Sequence, residues 1–326
     1  MKTAIVHADV GARPEKDEQD VLVQAAAVER SLGALGHASR RLPVTLDLGR
    51  AAADLGRAAP DLVFNLVESL EGTGRFAHCA PLLFEHLSIP FTGSGSEALY
   101  LTTGKTLAKD RLRHAQIPTP DWTAACGSRI PEPGFAPPYI VKPVWEDASV
   151  GIDDASVVRT GEDLGRVIRD KRARHGECFV EAFIDGREFN ISLLADAGGV
   201  QVLPPAEILF DRFPAGKPRI VGYEAKWEEG SFDYRNTPRT FQGPPEQAGL
   251  CGRLEAVARR CWDLFGLRGY ARVDFRVDPG GRPWVIEVNA NPCIAPDAGF
   301  TAAAGRAGVP YDRMIARILD DAFTAT

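Results

Sequence analysis

The chain has 326 residues, 44% of them hydrophobic and 25% charged, which is typical of a globular protein with two or three compact units and excludes a disordered chain. Its net charge of −6 gives no electrostatic reason to expect a nucleic acid or an anionic membrane as a partner. Because the start turns polar after eight residues and no run approaches the roughly 20 apolar residues of a membrane span, we expect no signal peptide and a cytoplasmic protein.

The first third of the chain alternates predicted strands and helices. KTAIVHA is a predicted buried strand, and an amphipathic helix follows from about Asp20, with Gly36 as its stop. A second buried strand, DLVFNLV, precedes a helix in APLLFEHLSIP and a glycine-rich turn, FTGSGS. This β-α-β order predicts a parallel sheet covered by helices, which closes near residue 97.

The rest of the chain is richer in strands. A basic helix, GKTLAKDRLRHA, leads to predicted strands in PYIVKPV, ASVV and CFVEAFI, with a helix at 161–174 before the last of these. Longer strands follow in EFNISLLAD and VQVLPPAEILF, then a polar stretch at 211–244, a helix at 246–265, a hairpin and a C-terminal helix. The stretch at 211–244 is too long for a plain connector and is typical of a lid or a binding segment.

The hairpin RVDFRVDPGGRPWVIEVNANP, residues 272–292, sorts its side chains by chemistry. If it turns between Gly280 and Gly281, Asp274 lies opposite Glu287 and Arg272 opposite Asn289, all on one face. The other face is predicted to collect only apolar residues: Val273, Phe275, Val277, Trp284, Ile286 and Val288.

The polar face of this hairpin has two interpretations. Two carboxylates and an amide oxygen are hard ligands that suit Mg²⁺, and an adjacent arginine stabilises an oxyanion or a phosphate. A solvated sheet face shows the same alternation, so the hairpin alone leaves both interpretations open. The break at Asn291-Pro292 favours a site slightly, since sites are common where strands run into loops.

Two further stretches suit a nucleotide but are weak signals when taken singly. In YIVKPVWEDASVG, Lys142 ends a strand and the loop at 145–151 is able to fold over phosphates, as an ordinary hairpin loop also does. In FVEAFIDGREFNI, Glu181, Glu188 or a backbone group such as that of Ile184 could meet adenine and ribose, although exposed glutamates are common. Lys105 could reach the same nucleotide, or be a solvated helix lysine.

The sequence contains no pattern for zinc or for covalent catalysis. The six histidines form no HxxxH or HExxH pair, and the six cysteines have no CxxC spacing. We therefore expect free thiols in a reducing compartment. There is no Ser/His/Asp or Cys/His arrangement either.

Taken in order, five stretches resemble the ATP-grasp superfamily and, within it, the D-alanine–D-alanine ligases. They are PFTGSG (90–95), IVKPVWEDASVG (140–151), FVEAFIDGREFNI (179–191), YEAKW (223–227) and ARVDF…VIEVNANP (271–292). The resemblance covers about residues 1–320 and implies an α/β (α+β) ATP-grasp fold. It implies three domains, an N-terminal α/β domain (1–97), a central ATP-grasp subdomain (98–186) and a C-terminal catalytic domain (187–326), with the nucleotide between two antiparallel sheets.

The resemblance also implies ATP and Mg²⁺ or Mn²⁺ as cofactors and a role for each matched residue. Lys105, Lys142 and Lys226 would contact the phosphates, and Glu181, Ile184 and Glu188 the adenine and ribose. Asp274, Glu287 and Asn289 would hold the metal, and Arg272 would stabilise the oxyanion of the tetrahedral intermediate. Ser149 would help to close the lid, and Asp20 would bind the amine of the first substrate.

The activity implied is that of a carboxylate–amine ligase acting on small amino-acid-like substrates. A carboxylate takes the γ-phosphoryl group of ATP, an amine attacks the acyl phosphate, and ADP and phosphate are released. The family also suggests a homodimer. The alternatives are a true D-alanine–D-alanine ligase of cell-wall synthesis, an ATP-grasp kinase, or a catalytically inactive nucleotide-binding scaffold.

Several departures from the family pattern fall on the substrate side. The lid motif YEAKY ends here in Trp227, and FNLVESLEGTGRFAH replaces the HG…GEDG segment. After the metal residues, Cys293 replaces a glycine, Asp297 a histidine and Ala298 a serine that helps to hold the second substrate's carboxylate. An added acid beside a lost hydroxyl predicts a rebuilt amine-donor site that disfavours a carboxylate and favours a cationic group.

Overall fold

The computed structural model describes residues 1–11, 16–125, 132–242 and 248–324, and the strands in these ranges form three sheets. The first sheet is parallel and the other two are antiparallel. This confirms the predicted α/β (α+β) class with a parallel sheet near the N-terminus. Within these ranges, no helix has the length and apolar character needed to cross a membrane.

The N-terminal sheet has the strand order β2-β1-β3. Its elements are β1 (Lys2–Ala8), α1 (Lys16–Ala34), β2 (Ala38–Val44), α2 (Leu48–Ala58), β3 (Leu62–Asn65) and α3 (Cys79–His86). Gly36, the predicted stop of α1, takes a positive φ of 80°, as helix-ending glycines commonly do. Strand β2 and helix α2 were not predicted from the sequence. Exposed Arg40 and Pro43 hide the alternation of β2 because it is an edge strand, where such residues are tolerated.

The second sheet has the order β4-β7-β5-β6 and is covered by one helix. Its elements are β4 (Trp122–Ala125), β5 (Tyr139–Pro143), β6 (Val157–Val158), α6 (Gly161–His175) and β7 (Cys178–Ala182). The strand predicted in ASVV is reduced to the two residues of β6, after a short 3₁₀ turn.

The third sheet has the order β11-β10-β8-β12-β13, with β9 paired to β8. Its strands are β8 (Arg187–Asp196), β9 (Gly199–Val202), β10 (Ala206–Ile208), β11 (Arg239–Thr240), β12 (Tyr270–Val277) and β13 (Pro283–Asn289). Helices α4 (Ser96–Thr103), α5 (Lys105–His114) and α9 (Ala248–Phe265) share its core. The domain limits at 97 and 186 stay a prediction, and α4 and α5 of the predicted central subdomain pack with the C-terminal sheet.

Two segments bring distant parts of the chain to one place. Helices α10 (Gly299–Arg306) and α11 (Tyr311–Asp321) share a buried core with α1 and β3, so the two ends of the described chain pack together. The long polar stretch after β10 contains α7 (Tyr223–Trp227) and α8 (Phe232–Asn236). It then forms β11, which pairs with β10 and so joins the third sheet.

The hairpin of β12 and β13 contains a β-bulge that the sequence analysis did not foresee. Asp274 pairs with Glu287 as predicted, but Phe275 then pairs with Val285, so Ile286 is the extra residue. The predicted apolar face is therefore wrong at two positions. Val285 is fully buried in the core, Ile286 lines a cavity, and Trp284 lies opposite Arg276.

Candidate active site

A cavity of about 550 Å³ lies between the two antiparallel sheets and is closed on one side by α1 and the long stretch after β10. All residues that the sequence analysis assigned to a role line this cavity. They are Asp20, Lys105, Lys142, Ser149, Glu181, Ile184, Glu188, Lys226, Trp227, Arg272, Asp274, Glu287, Asn289, Cys293, Asp297 and Ala298. Tertiary folding thus brings them together, while the individual roles remain predictions.

The polar face of the hairpin forms one wall of the cavity. Asp274 is paired with Glu287, and Arg272 with Asn289. Arg272 donates from Nε and Nη2 to the two oxygens of Asp274, at 2.7 and 2.8 Å. Asn190 on β8 donates to the same carboxylate at 2.8 Å. Burial by itself would lower the pKa of Arg272. The attraction of the Asp274 carboxylate outweighs this effect and raises the pKa above its usual value.

Lys105 at the start of α5 joins two acids from different segments. Its Nζ lies 2.8 Å from Asp147 Oδ1 and 3.2 Å from Glu287 Oε1, and it also donates to the Glu146 carbonyl. Burial raises the pKa of Asp147 to about 6, with Glu287 adding to the effect and Lys105 opposing it. For Glu287, burial alone would raise the pKa, but Lys105, together with Asp147 and two further cations of the cavity, outweighs it and holds this pKa well below its usual range. The cluster therefore keeps at least one carboxylate ionised against the cavity.

A buried lysine supports the acid predicted to meet the adenine. Glu181 on β7 is paired with Lys109 of α5 and with Lys142 of β5, the latter at 2.5 Å. The side chains of Lys109 and Glu181 are 2% and 1% exposed, so this pair is shielded from solvent. Burial lowers the pKa of Lys109 to about 8, although Glu181 raises it. Lys142 and Glu181 both line the cavity, in the part predicted to hold the nucleotide (the nucleotide slot).

Glu188, the second acid predicted to meet the nucleotide, is held by Arg276. The Nη1 atom of Arg276 donates to Glu188 Oε2 at 3.0 Å and to the Arg219 carbonyl at 2.9 Å. Its Nε and Nη2 atoms donate to the carbonyls of Ile184 and Gly186, both at 3.0 Å. Arg276 therefore fixes the turn between β7 and β8 and also holds the long stretch after β10 at Arg219.

Helix α7 closes over the cavity through polar contacts. Ser149 Oγ donates to the Val221 carbonyl at 2.8 Å, and the indole N–H of Trp227 donates to the Ala148 carbonyl at 3.0 Å. The tryptophan thus contacts the 145–151 loop without a phenol OH. Lys226 makes no hydrogen bond to a described residue, and burial, aided by repulsion from Arg272, lowers its pKa.

The far end of the cavity is acidic and is formed by α1 and the segment after β13. The thiol of Cys293 donates to Asp20 Oδ2 at 3.0 Å. Gln24 donates to Glu68 Oε1 at 2.9 Å and accepts from the Ile294 N–H at 2.6 Å. Burial raises the pKa of Asp20 and also that of Glu68, the latter to about 7. Asp20 therefore lies beside a second acid and is able to meet an ammonium group.

The residues predicted to hold a metal ion suit Mg²⁺ in chemistry. Among the described residues, no group of three or more His, Cys, Asp or Glu is arranged for a metal. The predicted set instead has two carboxylates, Asp274 and Glu287, and the amide of Asn289, which all line the cavity. Such a set is sufficient for Mg²⁺, which takes few protein ligands and completes its shell with water and phosphate oxygens. When bound, the metal would neutralise phosphate charge beside Lys105.

Six residues that line or support the site were given no role from the sequence: Gln24, Glu68, Asp147, Asn190, Arg239 and Arg276. The sequence pattern could have indicated two of these residues. Arg276 follows Asp274 by two positions on one strand, so alternation puts it on the same face. Glu68 follows the carboxyl end of β3, where sites of parallel sheets lie. Gln24, Asp147 and Arg239 depend on contacts between distant segments.

Solved structures share this fold over the whole chain. The D-alanine–D-alanine ligase of Bacillus anthracis complexed with ATP aligns with a TM-score of 0.74 and 21% identity, covering 99% of this chain and 98% of that one. The enzyme of Coxiella burnetii aligns with a TM-score of 0.73 and 16% identity, covering 99% and 94%. At such identities the likeness establishes the fold.

Sequence comparisons extend the match beyond the fold. The model of the D-ala D-ala ligase C-terminus matches residues 121–320. A D-alanine–D-alanine ligase of Synechococcus sp. (strain JA-2-3B'a(2-13)) is 31% identical over 310 residues, 92% of this chain and 87% of the relative. An uncharacterised protein of Sinorhizobium fredii is 30% identical over 259 residues, 79% of this chain and 74% of the relative.

The paired antiparallel sheets around a cavity of acids and lysines are those of an ATP-grasp ligase, an enzyme that uses ATP. Within this class, the chain belongs to the D-alanine–D-alanine ligase family.

Proposed function

We propose that the cavity binds ATP with Mg²⁺ and joins the carboxylate of one amino-acid-like substrate to the amine of another, with release of ADP and phosphate. The observation that carries this proposal is the hairpin wall. Asp274 lies opposite Glu287 and Arg272 opposite Asn289, on a cavity that Lys105, Lys142 and Lys226 also line. Metal ligands, cations for phosphates and a cation for an oxyanion thus share one enclosed space.

The proposed chemistry needs positioning and charge neutralisation, and this chain supplies both. Lys105, Lys142 and Lys226 would hold phosphate oxygens, while Glu181 and Glu188 orient the base and the sugar. Arg272, fixed by its two bonds to Asp274, would meet the oxyanion as the amine attacks. The closed lid would exclude water, which otherwise hydrolyses an acyl phosphate.

The acid substrate is proposed to be an amino acid whose ammonium group meets Asp20 and Glu68. These two carboxylates lie at the end of the cavity away from the nucleotide slot, and both have raised pKa values because of burial. A cationic group placed between them would favour their ionised forms. A cytoplasmic location, where ATP is available, is part of this proposal, and the resemblance suggests a homodimer.

A second candidate is a D-alanine–D-alanine ligase in the strict sense, which the relative at 31% identity favours. Ala298 argues against the strict ligase, because alanine has no hydroxyl group that could bind the carboxylate of a second D-alanine. Incubation with D-alanine, ATP and Mg²⁺ separates the two. Fast phosphate release with dipeptide formation would establish the strict ligase.

The general proposal is tested with purified full-length chain, ATP, Mg²⁺ and a panel of amino acids, with ADP, phosphate and product mass measured together. The expected result is one amide formed for each ADP, lost on chelation of the metal and in Asp274→Asn. Nucleotide binding without turnover across the panel would instead indicate a scaffold. A stable phosphorylated product without an amide would indicate a kinase.

A further inference from the structure

The basic residues that line the cavity differ in whether they already have a partner. Six basic side chains line it: Lys105, Lys142, Lys226, Arg239, Arg272 and Arg276. Four of them face carboxylates of this chain, in the pairs Lys105–Asp147, Lys142–Glu181, Arg272–Asp274 and Arg276–Glu188. Within the described residues, the side chains of Lys226 and Arg239 have neither an ion pair nor a hydrogen bond. These two cations are therefore available for anions of bound substrates.

Arg239 lies at the substrate end of the cavity. It stands on β11, and its guanidinium lies beside Gly299, the first residue of α10. Its Cζ and Nε atoms are 3.7 Å from the point that a Cβ at this glycine would occupy. Ala298 and Asp297, which precede Gly299, line the same cavity, as does Cys293. Arg239 thus belongs to the wall where the family pattern changes, away from the slot of Lys142 and Glu181.

The charges around Arg239 favour an anion from outside the chain. Its nearest charged influences are Arg272, which repels it, and Asp297, which attracts it without forming an ion pair. Arg239 is solvent-exposed where it lines the cavity, and partial desolvation by the surrounding protein, followed by this repulsion, lowers its pKa. A guanidinium presents its N–H groups as a planar fork that matches the two oxygens of a carboxylate. Since Lys226 is assigned to the terminal phosphate, Arg239 is left for a substrate carboxylate.

We propose that Arg239 is a specificity-determining residue that binds a carboxylate of the amine-donor substrate, so that the enzyme selects an amino acid over an uncharged amine. This inference rests on the proposed ligase function. It revises the expectation drawn from Asp297 and Ala298 alone, because the cation that replaces the missing hydroxyl comes from a strand about sixty residues earlier in the chain.

The test compares two kinds of amine donor with the same acid substrates. Hydroxylamine has no carboxylate and captures an acyl phosphate as a hydroxamate with release of phosphate. The other donors are the common L-amino acids and D-alanine, each beside its α-amide. Arg239→Met is compared with wild type and with Arg235→Met, an exposed arginine of α8 that does not line the cavity.

We expect wild type and Arg235→Met to prefer an amino acid to its amide. Arg239→Met should raise the KM of that amino acid about 10- to 100-fold, as expected for loss of a charge-assisted bond, and should remove the preference. Its hydroxamate rate and its KM for ATP should stay within about threefold of wild type, which also shows that the variant is folded.

Other results would overturn the inference. Equal use of an amino acid and its amide by wild type would show that no donor carboxylate is recognised. A raised KM for ATP in Arg239→Met, with an unchanged donor KM, would assign Arg239 to the nucleotide phosphates. Absence of hydroxamate with every acid would overturn the proposed ligase function itself, and this inference with it.

Discussion

Asp274 and Glu287 lie directly opposite each other on β12 and β13, and the β-bulge begins immediately after this pair. The predicted register holds for this pair and for the part of the hairpin away from the turn. Between the pair and the turn the register moves by one residue, so that Ile286 and Glu287, although adjacent, both line the cavity. Bulges are common beside active sites because they redirect a side chain in this way. Here the bulge adds an apolar wall next to the acid pair.

Replacement of Glu287 by glutamine should reduce kcat at least about 100-fold, the scale of losing one preorganised charged group at a reacting centre. The amide keeps the shape but removes the charge that a metal ion and Lys105 require. The control is Asp278→Asn in the turn of the same hairpin, a half-buried residue outside the cavity. Its kcat should stay within about threefold of wild type, and an equal loss in both variants would contradict the assignment.

Glu68 should make the free energy of unfolding depend on pH. Burial raises its pKa from 4.5 to about 7, so the folded protein keeps a proton that the unfolded chain has released. The contribution to stability is therefore fully present below pH 4.5 and is lost as the pH rises through 7. Its size is at most about 3 kcal/mol.

The measurement is the free energy of unfolding of wild type and Glu68→Gln in urea at several pH values between 4.5 and 8. Glutamine keeps an oxygen that accepts from Gln24, so the variant isolates the charge. The difference between the two proteins should change by up to about 3 kcal/mol across this interval. Parallel curves would show that the Glu68 carboxyl does not titrate in this interval.

The lid contact of Trp227 should contribute modestly to closure. Trp227→Phe removes the indole donor to Ala148 but keeps most of the ring, at a cost of about 1 kcal/mol. We expect faster proteolysis within residues 211–237 and a KM for ATP about two- to tenfold higher. Trp284→Phe is the matched control, because its indole bond is to Asp278 in the hairpin turn. Similar proteolysis of wild type and both variants would argue against this contact as a lid closure.

Lys109 should matter for stability more than a surface cation does. Lys109→Met leaves the buried Glu181 with Lys142 as its remaining partner, and the loss of one member of a buried pair costs about 3 kcal/mol or more. Arg57→Met, which breaks an exposed pair with Asp54, should cost less than about 1 kcal/mol. Urea unfolding of both variants measures this difference, and equal costs would show that burial of the pair adds nothing.

The sequence by itself determined the local parts of this protein. The hairpin between β12 and β13 follows from its glycine turn, and the end of α1 follows from Gly36. The direct facing of Asp274 and Glu287 also requires the bulge between this pair and the turn. The order of five short stretches was enough to identify the ATP-grasp fold, and every residue to which the resemblance gave a role lines the cavity. These features could be predicted from the sequence because each depends on residues that are close to one another along the chain.

Only the tertiary structure decided the bulge at Ile286, the pairing of Lys109 with Glu181, and the unpaired state of Arg239 within the described residues. Each of these depends on which distant side chains approach each other. A buried charge is stable only with the partner that the fold provides, and a cation is available to a substrate only when no acid of the chain has reached it. Alternation along one strand carries no information about either condition.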